Sequence, residues 1–357
     1  PGGFGYLHGL FLVEKGRPEK GMQKIRQSIR SQGRDARNRI AFAIAAQWKS
    51  LPGGGALRGV AFLRTAFSSG AFDRRLFIQL DAKLRDAHDV ETRRRLHRLI
   101  PDALKDRGDV AFRRACFLLD SGDAEKTLEL LLSHKFNQFE GQCAVRRLYV
   151  DALLVSGLKS FHDADLEAAS RRFSAVMEYP ENIASESYIG EHSRLARFMI
   201  GVIAEKRGDG RSAKELWKGV IRQPGNAGAY VVAGMDSQRK TIRPDESAAC
   251  ALSGMKLERY DIVDGIAAEL LASARRTTAL DEKEACQGLR FLIKGQRRKV
   301  AAGIQRASNA YPCSSLLRIT AALLELDLGQ RSGRSPTAPR ILVVGKSIAP
   351  LRKWSTI

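Results

Sequence analysis

The sequence predicts an all-α fold, an α-solenoid of antiparallel helix pairs, and three observations support this prediction. Helical segments recur in pairs about 34 residues apart, and Gly329 follows Gly295 by one such period. Small residues recur at fixed offsets within each pair, where two helices would cross closely. Ala, Leu and Arg dominate the chain and aromatic residues make up only 7% of it, which favours helix-on-helix packing over a β-sandwich.

Each predicted pair is defined by offsets from its turn. Around the turn at Gly208, a small residue stands seven positions earlier (Gly201), another five later (Ala213), and a large residue nine later (Trp217). The small residues allow two helices to approach closely, and the large side chain fills the space below them. Related sets surround Gly16, Gly54, Gly122, Ala164 and Gly295.

The clearest copy runs from residue 281 to 314 and combines Gly288, Gly295 and Ile304 with a closing Pro312. This pattern resembles a tetratricopeptide repeat (TPR). The resemblance implies a right-handed, TPR-like superhelix of seven to nine helix pairs. It also implies the general role of such repeats, which is to bind other proteins without catalysing a reaction.

The regularity of the repeats suggests five regions. We expect TPR-like repeats over residues 1–134, repeats with two insertion loops over 135–228, and irregular helical repeats over 229–280. A last repeat and a final helix follow over 281–330, and a linker with a disordered or truncated tail over 331–357. Arg93 stands where a small residue is expected, but the neighbouring spacing leaves room for a helix pair from about Arg74 to Ile100.

Three short segments near the insertions are not required by a plain repeat: residues 135–141 (KFNQFEG), 148–152 (LYVDA) and 178–182 (EYPEN). Over about residues 109–225 they resemble a bacterial family in which a β-rich, carbohydrate-related domain of uncharacterised function precedes TPRs. The resemblance implies an alternative function, in which this chain is the repeat half of a larger carbohydrate-related enzyme or binding protein and its groove holds that protein's β-rich domain. The chain begins without Met, so we expect an N-terminal part to be missing.

The net charge of +21 leaves a second function open. The densest basic clusters, residues 93–98 and 297–299, lie on predicted helices, where charged runs commonly form solvated faces. The alternative is a basic helical-repeat protein that binds nucleic acid, and salt-dependent retention on a polyanion column would distinguish the two.

The sequence offers little chemistry for catalysis. Its five cysteines are widely spaced without a Cys-x-x-Cys motif, which argues against a zinc knuckle and favours a reducing, cytoplasmic location. The pairs His88-Asp89 and His162-Asp163 fall at predicted helix ends, where such residues are common caps. Gly345-Lys346-Ser347 lacks the upstream glycine of a phosphate-binding loop, since Arg340 stands there. We therefore expect no enzymatic activity, cofactor, metal or membrane insertion.

One set of residues suggests a binding site. A second apolar stripe runs along the first helix of each pair, at spacings of three and four residues that share one helix face. By resemblance to TPR proteins this face lines a concave groove for a protein or peptide partner. The alternative is that the stripe packs against neighbouring repeats. The predicted partner-binding residues are Tyr6, Leu10, Ile44, Trp48, Phe112, Leu154, Leu158, Phe198 and Val202.

Overall fold

A computed structural model describes residues 5, 8–9, 11–12, 15–32, 74–86, 88–136, 142–178, 180–183, 193–222, 243–294 and 298–330. Within these ranges the regular structure is helical throughout, which confirms the all-α, helical-repeat prediction. The predicted repeat around Gly54 and the tail 331–357 lie outside the described residues. None of the described helices combines the length and apolar character of a membrane span.

The described residues include fifteen α-helices whose two ends are both defined and one 3-10 turn. They are α1 (Pro18–Gln32), α2 (Arg74–Asp86), α3 (Val90–Arg98), α4 (Asp102–Lys105), α5 (Gly108–Asp120), α6 (Ala124–Ser133), α7 (Gln142–His162), α8 (Leu166–Ala175), the 3-10 turn Glu181–Ile183, α9 (Arg194–Lys206), α10 (Gly210–Arg222), α11 (Pro244–Lys256), α12 (Tyr260–Arg276), α13 (Leu280–Ile293), α14 (Arg298–Ala310) and α15 (Ser315–Gln330).

The turns within the pairs use a left-handed residue followed by a helix cap. The predicted turn residues Gly16, Gly122, Gly208 and Ala164 all have positive φ. An aspartate directly follows Gly122, Ala164 and Gly208. Its side chain accepts a hydrogen bond from the backbone N–H three residues after it, as Asp209 does from Ser212 at 2.9 Å. This cap begins the second helix of the pair. The short turn makes the two helices antiparallel.

Glycines in the first helices allow the predicted close crossings. A Cβ atom added at Gly157 would lie 2.8 Å from the Phe173 ring, and one at Gly201 would lie 2.5 Å from the Trp217 ring. Gly9 and Gly288 lie against Ile25 and Ile304, the residues at the same offsets. In all four pairs, the glycine seven residues before the turn contacts the large residue nine after it, as the sequence spacing predicted.

Two regions with a weak sequence pattern keep the same register. The helix pair expected near residues 74–100 is present as α2 and α3, and His88 has the positive φ of the turn. In the region expected to be irregular, Glu258 takes this position between α11 and α12. Ala251, Val263 and Ala267 then occupy the standard offsets and are buried. The helices over 244–276 therefore keep the spacing of the other pairs, but the sizes at the two later offsets are reversed, since Val263 replaces a small residue and Ala267 a large one.

The chain divides into two compact units. Unit 1 comprises Pro1–Phe117, Glu129–Val145 and Glu181–Ala184, and unit 2 comprises Leu118–Leu128, Arg146–Pro180 and Ser185–Ile357. In unit 2 the first helices α9, α11, α13 and α15 contact one another in series. Each second helix packs on the first helix of its own pair and on that of the next pair, which is the arrangement of a helical solenoid.

Candidate functional site

The structure buries much of the predicted partner-binding stripe. Leu154, Leu158, Phe198 and Val202 are at most 6% exposed, so the expectation of an open apolar surface is wrong for these four residues. Phe112 is half-buried. Tyr6, Leu10, Ile44 and Trp48 lie outside the described residues, and their role stays a prediction.

The stripe is buried because the first helices of unit 2 pack against one another, and α15 joins them. α15 contacts α11, α13 and α14, and hydrogen bonds tie it to α7 and the end of α5. The Ser315 hydroxyl donates to Asp151 at 2.8 Å, and the His162 ring lies 3.2 Å from the Ala322 carbonyl oxygen. The Arg318 guanidinium donates to the carbonyl oxygens of Leu119 and Asp120. An apolar helix of the chain itself therefore packs among the first helices.

A buried polar network accompanies this packing. The Arg243 guanidinium donates to Asp151 at 2.6 Å and makes two hydrogen bonds of 3.0 Å to Asp245. Burial alone would raise the pKa of Asp151, but the Arg243 charge and the Ser315 hydroxyl outweigh it and hold that pKa below its ordinary value. The network joins α7, the start of α11 and α15, and its fully paired groups fix one arrangement of the three helices.

Glu246 extends this network to α9. Its carboxylate accepts the backbone N–H of Arg194 at 2.8 Å, where the N-cap residue Ser193 makes no side-chain cap bond. Burial and the neighbouring Asp245 raise the pKa of Glu246 to about 7. A side chain 52 residues away in sequence therefore caps α9.

In unit 1 a buried ionic cluster occupies a helix crossing. Relative to the turn at His88, Asp81 and Arg93 hold the positions of the two small residues, and His97 holds that of the large one. Arg93 Nε donates to Asp81 at 2.9 Å, and His97 Nε2 lies 2.8 Å from the same carboxylate oxygen. Arg93 is fully buried, so the interpretation of the 93–98 run as a solvated face is wrong at this residue.

The cluster resembles an acid–base pair, but its surroundings favour a structural role. His97 stacks on Phe117 and packs edge-on against Phe77. Burial, together with the charges of Arg93 and Arg114, lowers the pKa of His97 against the opposing effect of Asp81, which favours the neutral ring. No group of three or more potential metal ligands occurs among the described residues.

The described parts of the first and third segments that carry the resemblance to the bacterial family contact each other in unit 1. The Asn182 side-chain amide donates to the carbonyl oxygens of Leu131 at 2.7 Å and His134 at 2.9 Å, at the C-terminal end of α6. The Phe136 backbone N–H donates to the Asn182 carbonyl at 3.0 Å, and the Phe136 side chain is buried. Asn182 and Phe136 therefore connect the two insertions and terminate a helix.

Sequence reasoning missed these polar groups, although it had partial signals. Asp151 interrupts the apolar run Leu148–Leu154, and an isolated carboxylate in such a run requires a buried partner. Arg243 precedes a proline and two acids that mark a helix start. Nothing in the sequence indicates that Arg243 and Asp151, which are 92 positions apart, are neighbours.

Known proteins show only weak similarity to this chain. No family model matches the chain, and no curated protein matches it, so the resemblance to a bacterial family gains no support. Among solved structures, a human IFIT1 dimer with PPP-AAAA is 15% identical, with 82% of this chain and 69% of that chain covered and a TM-score of 0.29. The P58(IPK) TPR domain is 11% identical over 92% of this chain and 89% of that one, with a TM-score of 0.19. Similarity at these TM-scores supports no inference about what this chain binds.

Proposed function

We propose that the protein is a non-catalytic scaffold, cytoplasmic as its cysteine usage suggests, whose helical repeats bind protein partners. The proposed binding surface is the remainder of the predicted stripe. It comprises Phe112, which is half-buried, and Tyr6, Leu10, Ile44 and Trp48, which lie outside the described residues. The partner is an apolar helix. Helix-in-groove recognition needs an apolar face of this kind, with aromatic anchors supplying most of the binding energy.

The observation that supports this proposal is the packing of α15 in unit 2. Its residues Leu317, Ile319, Leu323 and Leu324 are buried although they do not share one helix face. An apolar helix thus lies among first helices whose predicted stripe is apolar, as the predicted stripe of unit 1 is. We infer that the unit 1 stripe accepts a helix of the same chemistry from another protein.

A peptide of residues 315–330, labelled with fluorescein, tests the proposal as the probe helix. We expect the full chain to bind it, and Trp48→Ala with Phe112→Ala to weaken binding about tenfold or more in fluorescence anisotropy. Leu132→Ala is the control, because Leu132 is an exposed leucine of unit 1 outside the stripe. A thermal melt of each variant verifies folding. Equal binding by the stripe variant and the control would contradict the proposal.

A further inference from the structure

The outer face of α10 carries a row of basic side chains. Ala213, Trp217 and Val220 are buried on one side of this helix. On the other side Arg211, Lys214, Lys218 and Arg222 follow one another at spacings of three or four residues and share one face. These four basic side chains span about 16 Å along the helix axis.

The basic charge of this face is only partly neutralised. Lys218 pairs with Glu215 at 2.7 Å. Arg211, Lys214 and Arg222 have no carboxylate within ion-pair distance among the described residues. At the preceding turn, Arg207 pairs with Glu167 at 2.6 Å, and Asp209 caps the helix. The face therefore retains three positive charges on one helix side.

The composition of the face distinguishes between possible partners. Every exposed residue of α10 is charged, serine or glycine, so the face offers no apolar anchor. A protein interface has a core depleted of charged residues and enriched in aromatic ones, which this face lacks. By contrast, the exposed residues of α12 include the aromatic Tyr260 and the acidic Asp264 and Glu269. A row of arginine and lysine without apolar contacts suits a phosphate backbone.

We propose that the outer face of α10 binds the phosphate backbone of a nucleic acid without sequence preference. Arg211, Lys214 and Arg222 each contact a phosphate, and Lys218 contributes when its pair with Glu215 opens. The exposed face has no aromatic side chain on which a base could stack, so the binding is electrostatic. The net charge of +21 adds long-range attraction for any polyanion. The proposal is independent of helix binding by unit 1.

The test uses the full chain and a fluorescein-labelled, mixed-sequence 20-nucleotide single-stranded RNA as the probe. We expect binding at about 50 mM salt and a strong loss near 150 mM, with a slope of roughly −0.7 per phosphate contacted in log Kobs against log salt. The variant R211Q/K214Q/R222Q should bind about tenfold more weakly and reduce the magnitude of the slope by about two. Glutamine preserves helix propensity, and a thermal melt verifies the fold.

The control variant R275Q/R276Q/K283Q removes the same charge from three other exposed basic residues of unit 2. If both triple variants lose the same affinity, the attraction comes from net charge alone and the α10 site is wrong. Poly-L-glutamate is a second probe. If α10 substitution abolishes binding of poly-L-glutamate and leaves RNA binding unchanged, the face binds an acidic protein segment instead, and the proposal is overturned.

Discussion

At the residue scale, the glycines of this chain have two different roles. Gly157 lies at a helix crossing where the Phe173 ring leaves no room for a Cβ atom. Gly219, in the interior of α10, has open space at the same position. The sequence pattern identified Gly157 because it has the correct offset from a turn, whereas Gly219 has no such offset.

The two glycines therefore predict opposite effects of the same substitution. Gly157→Ala should lower the free energy of unfolding by about 1–3 kcal/mol, because the added methyl group displaces the Phe173 ring. Gly219→Ala should raise it by about 0.5–1 kcal/mol, because alanine reduces the backbone entropy of the unfolded chain. Denaturant titration measures both. A Gly157→Ala variant as stable as the parent would contradict the assigned crossing.

Glu246 predicts a pH dependence of stability near neutrality. Its folded pKa of about 7 lies above the ordinary value of 4.5, so folding favours the protonated carboxyl. The stabilisation is fully present below about pH 4.5 and is lost as the pH rises through 7. Glu246→Gln mimics the protonated form and still accepts the Arg194 N–H.

We expect the melting temperature of Glu246→Gln to exceed that of the parent at pH 8, with the difference shrinking towards pH 5. The matched control is Glu284→Gln, since Glu284 is only partly buried and lies in α13. A difference that does not vary with pH would show that Glu246 does not titrate in this range.

At the scale of the element, helix composition indicates how completely each helix is buried. α10 has one apolar face and one charged face, and it lies at the surface. α7, α11 and α15 lack a continuous polar face and are buried around most of their circumference. The few polar groups inside them, such as Asp151 and Ser315, bond to one another.

The C-terminal end of α6 depends on a side chain from the second insertion. Asn182→Ala should cost about 1–2 kcal/mol, because the carbonyl oxygens of Leu131 and His134 lose their donor. Asn309→Ala is the control, since Asn309 is exposed and makes only a 3.5 Å contact with Gln305. Hydrogen exchange should show faster opening of α6 in the first variant alone. Unchanged exchange there would contradict the capping role.

At the scale of the whole molecule, α15 completes the core of unit 2. Its buried leucines pack with α11, α13 and α14, and its polar bonds reach α7 and the end of α5. A chain ending at Ser314 should therefore expose apolar surface. We expect increased binding of the dye ANS and a lower melting temperature.

A chain ending at Gln330 is the control, because it keeps α15 and removes only the segment predicted to be a linker and tail. It should melt and bind dye like the parent. If the chain ending at Ser314 behaves in the same way, then α15 is dispensable and its packing does not stabilise unit 2.

The sequence by itself determined the all-α class, the turns at Gly16, Gly122, Ala164 and Gly208, and the glycine crossings, because all of these depend on contacts within about 16 residues. It also placed a helix pair at 74–100 by spacing alone. Local offsets could not reveal that Asp81 and Arg93 replace small residues at one crossing, since a buried ion pair has no periodic signal. Only the tertiary structure decided that the apolar stripe of unit 2 is core. That outcome depends on the contact between α15 and α7, whose bonded residues Ser315 and Asp151 are 164 positions apart in sequence. The hydrophobic periodicity of neither helix indicates this contact.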